Sequence, residues 1–158
     1  LFSGWRLLSD ELALIAPGSA ELLPIPRPVS LKNASIEVIQ RFAPQVAFGS
    51  RVEATAKGVV AHFAPPAAAV SAGHRPAAPS FVVFPRYTQG APARLVPIER
   101  SRTFMRLIEN AFNYDVFGRD GFDLLEALVD RSECFEFEYG DLAEAVRLFD
   151  RLGRGDHV

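Results

Sequence analysis

Apolar positions in this chain fall into short runs broken by proline, glycine and charged clusters, the rhythm of strands alternating with amphipathic helices. Residues 5–15 read as an apolar strand, a polar interruption at Ser9-Asp10-Glu11 and a second apolar strand, Leu12-Ala13-Leu14-Ile15. Pro17-Gly18 closes the pair, giving a hairpin or one strand with a bulge. A short strand at 21–25 leads into alternating Pro24, Pro26 and Pro28, which force an extended path because proline fixes φ and restrains the residue before it. Asn33 is placed to cap a short helix whose apolar side is Ile36, Val38-Ile39 and Phe42 and which Pro44 ends. Over residues 46–63, β-branched residues with Gly49 and Gly58 predict two more strands, and the Ala/Pro-rich stretch 64–79 predicts a surface loop.

The carboxy-terminal half carries stronger signals. Ser80-Phe81-Val82-Val83-Phe84 is a continuous apolar run of the kind buried on both faces of an α/β sheet, with Pro85 and Arg86 marking its end. Arg94-Leu95-Val96-Pro97-Ile98 predicts an edge strand. Helical spacing follows over 101–114, where Phe104, Leu107-Ile108 and Ala111-Phe112 would pack on the sheet, and again over 121–130. A strand at Cys134-Phe135-Glu136-Phe137-Glu138 precedes a third helix capped by Asp141, with Leu142, Ala145-Val146 and Phe149 on one face. The order predicts a single α/β domain over residues 1–152 and a fraying tail at 153–158, with no internal repeat.

Composition narrows the function classes. With 158 residues, 49% of them apolar, the chain can bury one substantial core. The net charge is −2 and the seventeen basic residues are scattered, so the basic stripe expected of a nucleic-acid partner is missing. Cys134 is the only cysteine, which excludes an internal disulfide and a cysteine-built zinc site and suits a reducing compartment. No apolar run approaches the roughly 20 residues that span a bilayer, and no secretion signal opens the chain. The expected setting is cytoplasmic, with no membrane contact. Because the chain starts at Leu1 and its only methionine is Met105, a fragment or processed product is expected.

The chemistry starts at Asp10-Glu11. Ligands of open α/β sheets bind at the carboxyl ends of strands, so an acid pair closing an apolar strand is placed to hold Mg²⁺, which takes one or two protein carboxylates plus phosphate oxygens and water. The local pattern alone favours the polar tip of a hairpin. Lys32, before a helix amino terminus, is a candidate phosphate or acceptor contact, or a solvated lysine. Arg86 is a second candidate phosphate ligand because guanidinium pairs two oxygens at once, or else it makes a salt bridge. His62, His74 and His157 have no spacing that builds a metal site. Phe104, Phe112, Tyr114, Phe117 and Phe122 are assigned to core packing, with a peptide groove as the alternative. Glu133, Glu136 and Glu138 are read as the solvent-facing positions of an edge strand.

The run Gly4-Trp5-Arg6-Leu7-Leu8-Ser9-Asp10-Glu11-Leu12-Ala13-Leu14-Ile15 resembles the segment that follows the P-loop helix in HPr kinase/phosphorylases. With Pro26-Arg27-Pro28-Val29-Ser30-Leu31-Lys32-Asn33-Ala34-Ser35-Ile36, Phe84-Pro85-Arg86-Tyr87 and Glu109-Asn110-Ala111-Phe112-Asn113-Tyr114, it is similar over most of the chain to the bacterial HPr kinase-related kinases. The resemblance implies a P-loop kinase core of the phosphoenolpyruvate-carboxykinase-like type, with a mixed sheet and flanking helices. It implies an ATP- and Mg²⁺-dependent phosphotransferase acting on a hydroxyl, with nucleotide and a protein or peptide acceptor as partners, and it leaves a homo-oligomer open.

In that frame Asp10 takes the place of the first acid, for metal binding or proton abstraction. Glu11 takes the second, where the family usually has Asp, so metal contact by Glu11 is less secure. No segment fits G-x-x-x-x-G-K-[ST], whose backbone N–H groups and lysine hold the phosphates. The family places that motif just upstream of Leu1, with Leu1-Phe2-Ser3 as the end of its helix. A truncated kinase, inactive by itself, is therefore expected; a degenerate relative that never had the loop, or a non-catalytic peptide- or protein-binding module on the same fold, are the alternatives. A different small α/β domain sharing these motifs by accident is a third.

Overall fold

The computed structural model describes residues 1–56 and 58–156; Lys57, His157 and Val158, the last two in the tail expected to fray, lie outside them. Among the described residues the chain is mixed α and β, with three small sheets and five helices. Its contacts gather into two compact units, Leu1–Leu14 with Leu22–Ala77 and Ile15–Glu21 with Ala78–Val158. The two-residue strands β1 (Leu14–Ile15) and β2 (Leu22–Leu23) form the smallest sheet, and its turn is closed by the Ala16 N–H donating to the Glu21 carbonyl at 2.8 Å.

The first unit contains β3 (Val29–Lys32), α1 (Ala34–Phe42), β4 (Val52–Thr55), β5 (Gly58–Phe63) and α2 (Ala67–Ser71). The three strands form an antiparallel sheet in the order β3-β5-β4, with Val29 opposite Phe63 and Lys32 opposite Val60. Val29, Ile36, Ala61, Phe63 and Ala69 are buried. The Phe63 ring meets Phe2 at 6.1 Å and Phe48 at 5.6 Å, so an aromatic cluster closes one end of the sheet.

Three expectations change here. Residues 5–8 and Leu12-Ala13 form no strand, and Leu1-Phe2-Ser3 lies in a turn with no helix. No neighbouring strand supplies a ladder for residues 5–8. The Ile25 N–H donates to the Leu8 carbonyl at 2.7 Å, and the Arg6 guanidinium reaches the carbonyls of Ala72, Arg75 and Pro76. The predicted loop 64–79 contains α2. Pro66 at its N-cap removes an N–H that would have no helical partner, three alanines follow, and Ala69 is buried. Asn33 stands at the N-cap of α1 with φ at 50°, but its side chain makes no cap bond. Its Oδ1 instead accepts from the Val59 N–H at 3.1 Å, tying the start of the helix to β5.

The second unit holds β6 (Phe81–Tyr87), β7 (Arg94–Pro97), α3 (Arg100–Asn110), α4 (Tyr114–Arg131), β8 (Glu133–Tyr139) and α5 (Leu142–Gly153). Its sheet is mixed, in the order β6-β8-β7, with β6 parallel and β7 antiparallel to β8. β7 is an edge strand, as its sequence predicts. β8 was expected at an edge too, yet it is central, and β6 takes the other edge. There Pro85 costs no ladder bond it could not spare, so the strand runs through Pro85 and Arg86 to Tyr87 instead of stopping.

Alternation along β8 sends Phe135, Phe137 and Tyr139 to one face and Cys134, Glu136 and Glu138 to the other. Phe137 packs edge-on against Phe149 of α5 at 5.0 Å and clusters with Ala145 and Leu148, so α5 covers the aromatic face. Asp141 caps α5 as expected, its Oδ1 accepting from the Glu144 N–H at 2.9 Å. α4 begins about two turns before the predicted 121–130 helix and breaks at Gly118, whose φ of 51° favours glycine.

Candidate functional site

Asp10 and Glu11 lie in a bend between the extended Leu8 segment and β1, beside β3. The Asp10 Oδ2 accepts from the Ser30 N–H at 2.9 Å. β3 is an edge strand, so outward N–H groups such as that of Ser30 lack a partner strand, and Asp10 supplies the acceptor. Asp10 therefore closes a sheet edge, where a strand end was expected. Its other oxygen, Oδ1, has no protein partner among the described residues.

Glu11 and Lys32 face one another, with Oε1 to Nζ at 3.7 Å and side chains 64% and 40% exposed. A pair this open contributes at most about 1 kcal/mol, so its importance lies in placement. Lys32 ends β3, and its backbone is locked by Ser35, whose Oγ accepts from the Lys32 N–H at 2.9 Å and donates to the Lys32 carbonyl at 2.7 Å. The fold thus brings Asp10, Glu11 and Lys32 onto one surface of the first unit.

The donor set suits Mg²⁺ of the phosphate-linked kind, which needs one or two carboxylates and takes its remaining ligands from water and phosphate. It does not suit a cage built from protein alone: no group of three or more His, Cys, Asp or Glu that could hold a metal occurs among the described residues. For ATP the residues offer carboxylates and a cation, and no segment carries the phosphate-cradling G-x-x-x-x-G-K-[ST] pattern.

Arg86 belongs to the second unit, and a carboxylate holds it there. It and Arg94 are the register partners of Glu138 on either side, so all three side chains share a face. The Glu138 carboxylate accepts from Arg94 at 2.7 and 3.1 Å, from Arg86 at 2.9 Å and from the Thr88 hydroxyl at 2.9 Å, and its side chain is 15% exposed. Glu136 is engaged likewise by Arg102 and Arg106, and Arg106 also lies 3.8 Å over the Phe84 ring. Of the glutamates expected to face solvent, these two anchor ion-pair networks, because the central position of β8 places arginines from both sides and from α3 over them.

The Arg94 hydrogen bonds, then Thr88, and then the charge of Arg86 hold the Glu138 carboxyl below the ordinary carboxylate range, with burial opposing them. A depressed folded-state value stabilises the fold above the pH at which an unfolded Glu titrates, and that contribution is lost as pH falls through the lower folded value. Glu138→Gln should accordingly melt below the parent at neutral pH, with the gap closing as pH drops below the carboxylate range. Thermal melts across that range test this; a gap independent of pH would contradict it.

The aromatic assignment divides. Phe104 and Phe122 pack together at 4.9 Å, but Phe112 is 89% exposed and Phe117 50%, with Val116 between them at 82%. Helical spacing signalled an apolar side here, but nothing in the second unit covers it. His62 pairs across the sheet with Ser30, and neither it nor His74 joins a candidate metal group among the described residues; His157 lies outside them.

Comparisons with protein-family models, with curated proteins and with solved structures returned no match. No described helix is long and apolar enough to cross a membrane.

Proposed function

We propose that this chain is part of an ATP-dependent, Mg²⁺-assisted phosphotransferase of the HPr kinase-related kind, phosphorylating a hydroxyl of a protein or peptide in the cytoplasm. The observation that carries it is the meeting of Asp10, Glu11 and Lys32 at the β3 edge, with one Asp10 oxygen tied to the Ser30 amide and the other open. The acid pair is what the sequence resemblance singles out and Lys32 is the cation expected from its place before a helix amino terminus, and they come together from positions about 20 residues apart in the chain.

The tie to Ser30 fixes the orientation of the Asp10 carboxylate, which lets Oδ1 hold a metal ion or take the acceptor's hydroxyl proton as its oxygen bonds to phosphorus and ADP departs. Glu11 holds the Lys32 ammonium close by, where it offsets charge on an anionic group. Mg²⁺, when bound, neutralises the nucleotide phosphates. The phosphate-cradling loop would come from residues encoded upstream of Leu1, as the resemblance implies.

Calorimetry with Mg-ATP tests this on the chain alone and on the chain joined to its upstream residues. Binding by the longer form, weakened by Asp10→Asn, is the expected outcome. No binding by either form rejects it. The exposed apolar strip of Phe112, Val116 and Phe117 favours a second reading, a non-catalytic module that binds a peptide or protein. Failure of nucleotide binding together with partner binding lost on Phe112→Ser would support that instead.

A further inference from the structure

We propose that the groove between α5 and the Pro92-Ala93 segment of the second unit binds a small phosphate-bearing organic anion through Arg147 and Arg151. The proposal does not depend on the phosphotransferase reading. A cavity of about 480 Å³ opens there, lined by Pro92, Ala93 and Leu148, by the carboxylates Glu144 and Asp150, and by the three arginines Arg147, Arg151 and Arg154. This falls within the size range of small-molecule sites and well above that of a single ion.

Spacing explains the arginines. Positions i, i+4 and i+7 form one stripe of α5, running beside the Ala145, Leu148 and Leu152 stripe that is buried. The guanidinium groups therefore stand along a cavity wall whose base includes an apolar side chain. That combination accepts a molecule with one charged end and one organic end.

Pairing within the unit singles out two of them. Arg86 and Arg94 are held by Glu138, Arg102 and Arg106 by Glu136, Arg100 by Asp130 and Arg119 by Asp123. Arg131 donates to the Ser19 carbonyl, and Arg154 meets Asp156 at 3.3 Å. Of the arginines of this unit, only Arg147 and Arg151 have side chains with no hydrogen-bond or ion-pair partner among the described residues, and both line the same cavity. The acids beside them do not fill the role: Glu144 takes the Ala93 N–H at 3.4 Å, and Asp150 has an interaction of its own. Two planar forks one helical turn apart fit tetrahedral oxyanions, which accept paired N–H donors from each.

The test uses the 158-residue chain with inorganic pyrophosphate as probe, followed by amide chemical shifts and by calorimetry. Shifts should centre on Ala93, Arg147, Leu148 and Arg151 and saturate. The double variant Arg147→Gln/Arg151→Gln should bind on the order of tenfold more weakly or worse, while Arg119→Gln binds as the parent does. Because the shifts are read on the parent chain, they decide the location even if the double variant is poorly folded. Shifts centred elsewhere, no saturation, or unchanged affinity in a folded double variant would overturn the proposal. Citrate binding as tightly as pyrophosphate would overturn the choice of phosphate.

Discussion

Asp10→Asn should lower phosphotransfer by the chain joined to its upstream residues by about 10²–10⁴-fold, the range for loss of a group that moves or orients a proton at the reacting centre. The same substitution should leave thermal stability nearly unchanged. An asparagine Oδ1 still accepts from the Ser30 N–H, so the closed edge of β3 survives while the charge is lost. Asp10→Ala removes the acceptor as well and is expected to cost about 1 kcal/mol in addition, since an edge amide then returns to water. Kinetics and thermal melts on the two variants therefore separate two roles for one carboxylate. Activity retained by Asp10→Asn would leave Asp10 with its edge-closing role alone.

Gly140→Ala carries the largest expected loss of stability. A methyl group there would sit 2.6 Å from the Thr88 carbonyl oxygen and 2.7 Å from the amide nitrogens of Gly90 and Ala91. All three are backbone atoms, so no side-chain rotation relieves the overlap. The loop is pinned where it stands by the Thr88 N–H on the Tyr139 carbonyl at 2.9 Å and the Ala91 N–H on Thr88 at 3.0 Å. Relief requires pulling residues 88–91 off the junction between β8 and α5, at about 3 kcal/mol, the upper end for overpacked sites. Thr88 would move with them and withdraw its hydroxyl from Glu138, adding to the loss. Urea denaturation of the second unit's helices and strands checks this. A change within about 0.5 kcal/mol, typical of an unencumbered surface position, would contradict the close approach.

What the sequence revealed and what it concealed divide along the range of the interactions involved. α5 was legible because its cap, Asp141, and its apolar positions lie within a dozen residues; the cap, Ala145 and Phe149 stand as expected, while the buried stripe runs through Ala145, Leu148 and Leu152 instead of Leu142 and Val146. β7 and β8 were legible as strands for the same reason. The rank of β8 within its sheet was not, because the return of the chain across α3 and α4 decides which strand lies between the others. With that rank went the meaning of its glutamates: Glu138 reads as a solvent charge until Arg86 and Arg94 are seen in register on both sides.

Residues 5–13 show the opposite failure, while Leu14–Ile15 does form a strand. Their apolar run promised a strand, but strand formation needs a partner ladder, and the segment is held by long-range side-chain bonds from Arg6 and Asp10 that no local pattern discloses. The candidate site was legible in part. Asp10, Glu11 and Lys32 meet, whereas Arg86 is held by Glu138 in the second unit. Arg147 and Arg151 were overlooked, although their i, i+4 spacing was available in the sequence; that no carboxylate answers them is visible only in three dimensions.

Mn²⁺-induced relaxation of backbone amide signals, with Mn²⁺ standing in for Mg²⁺, shows whether Asp10, with Glu11 and Lys32 beside it, stands on the metal side of a phosphotransfer site. In the presence of ATP, on the chain joined to its upstream residues, the account predicts selective broadening of the Asp10, Glu11 and Ser30 signals, reversed by excess Mg²⁺ and absent in Asp10→Asn. Broadening spread over the other exposed carboxylates, with the Ser30 signal unaffected, would contradict it.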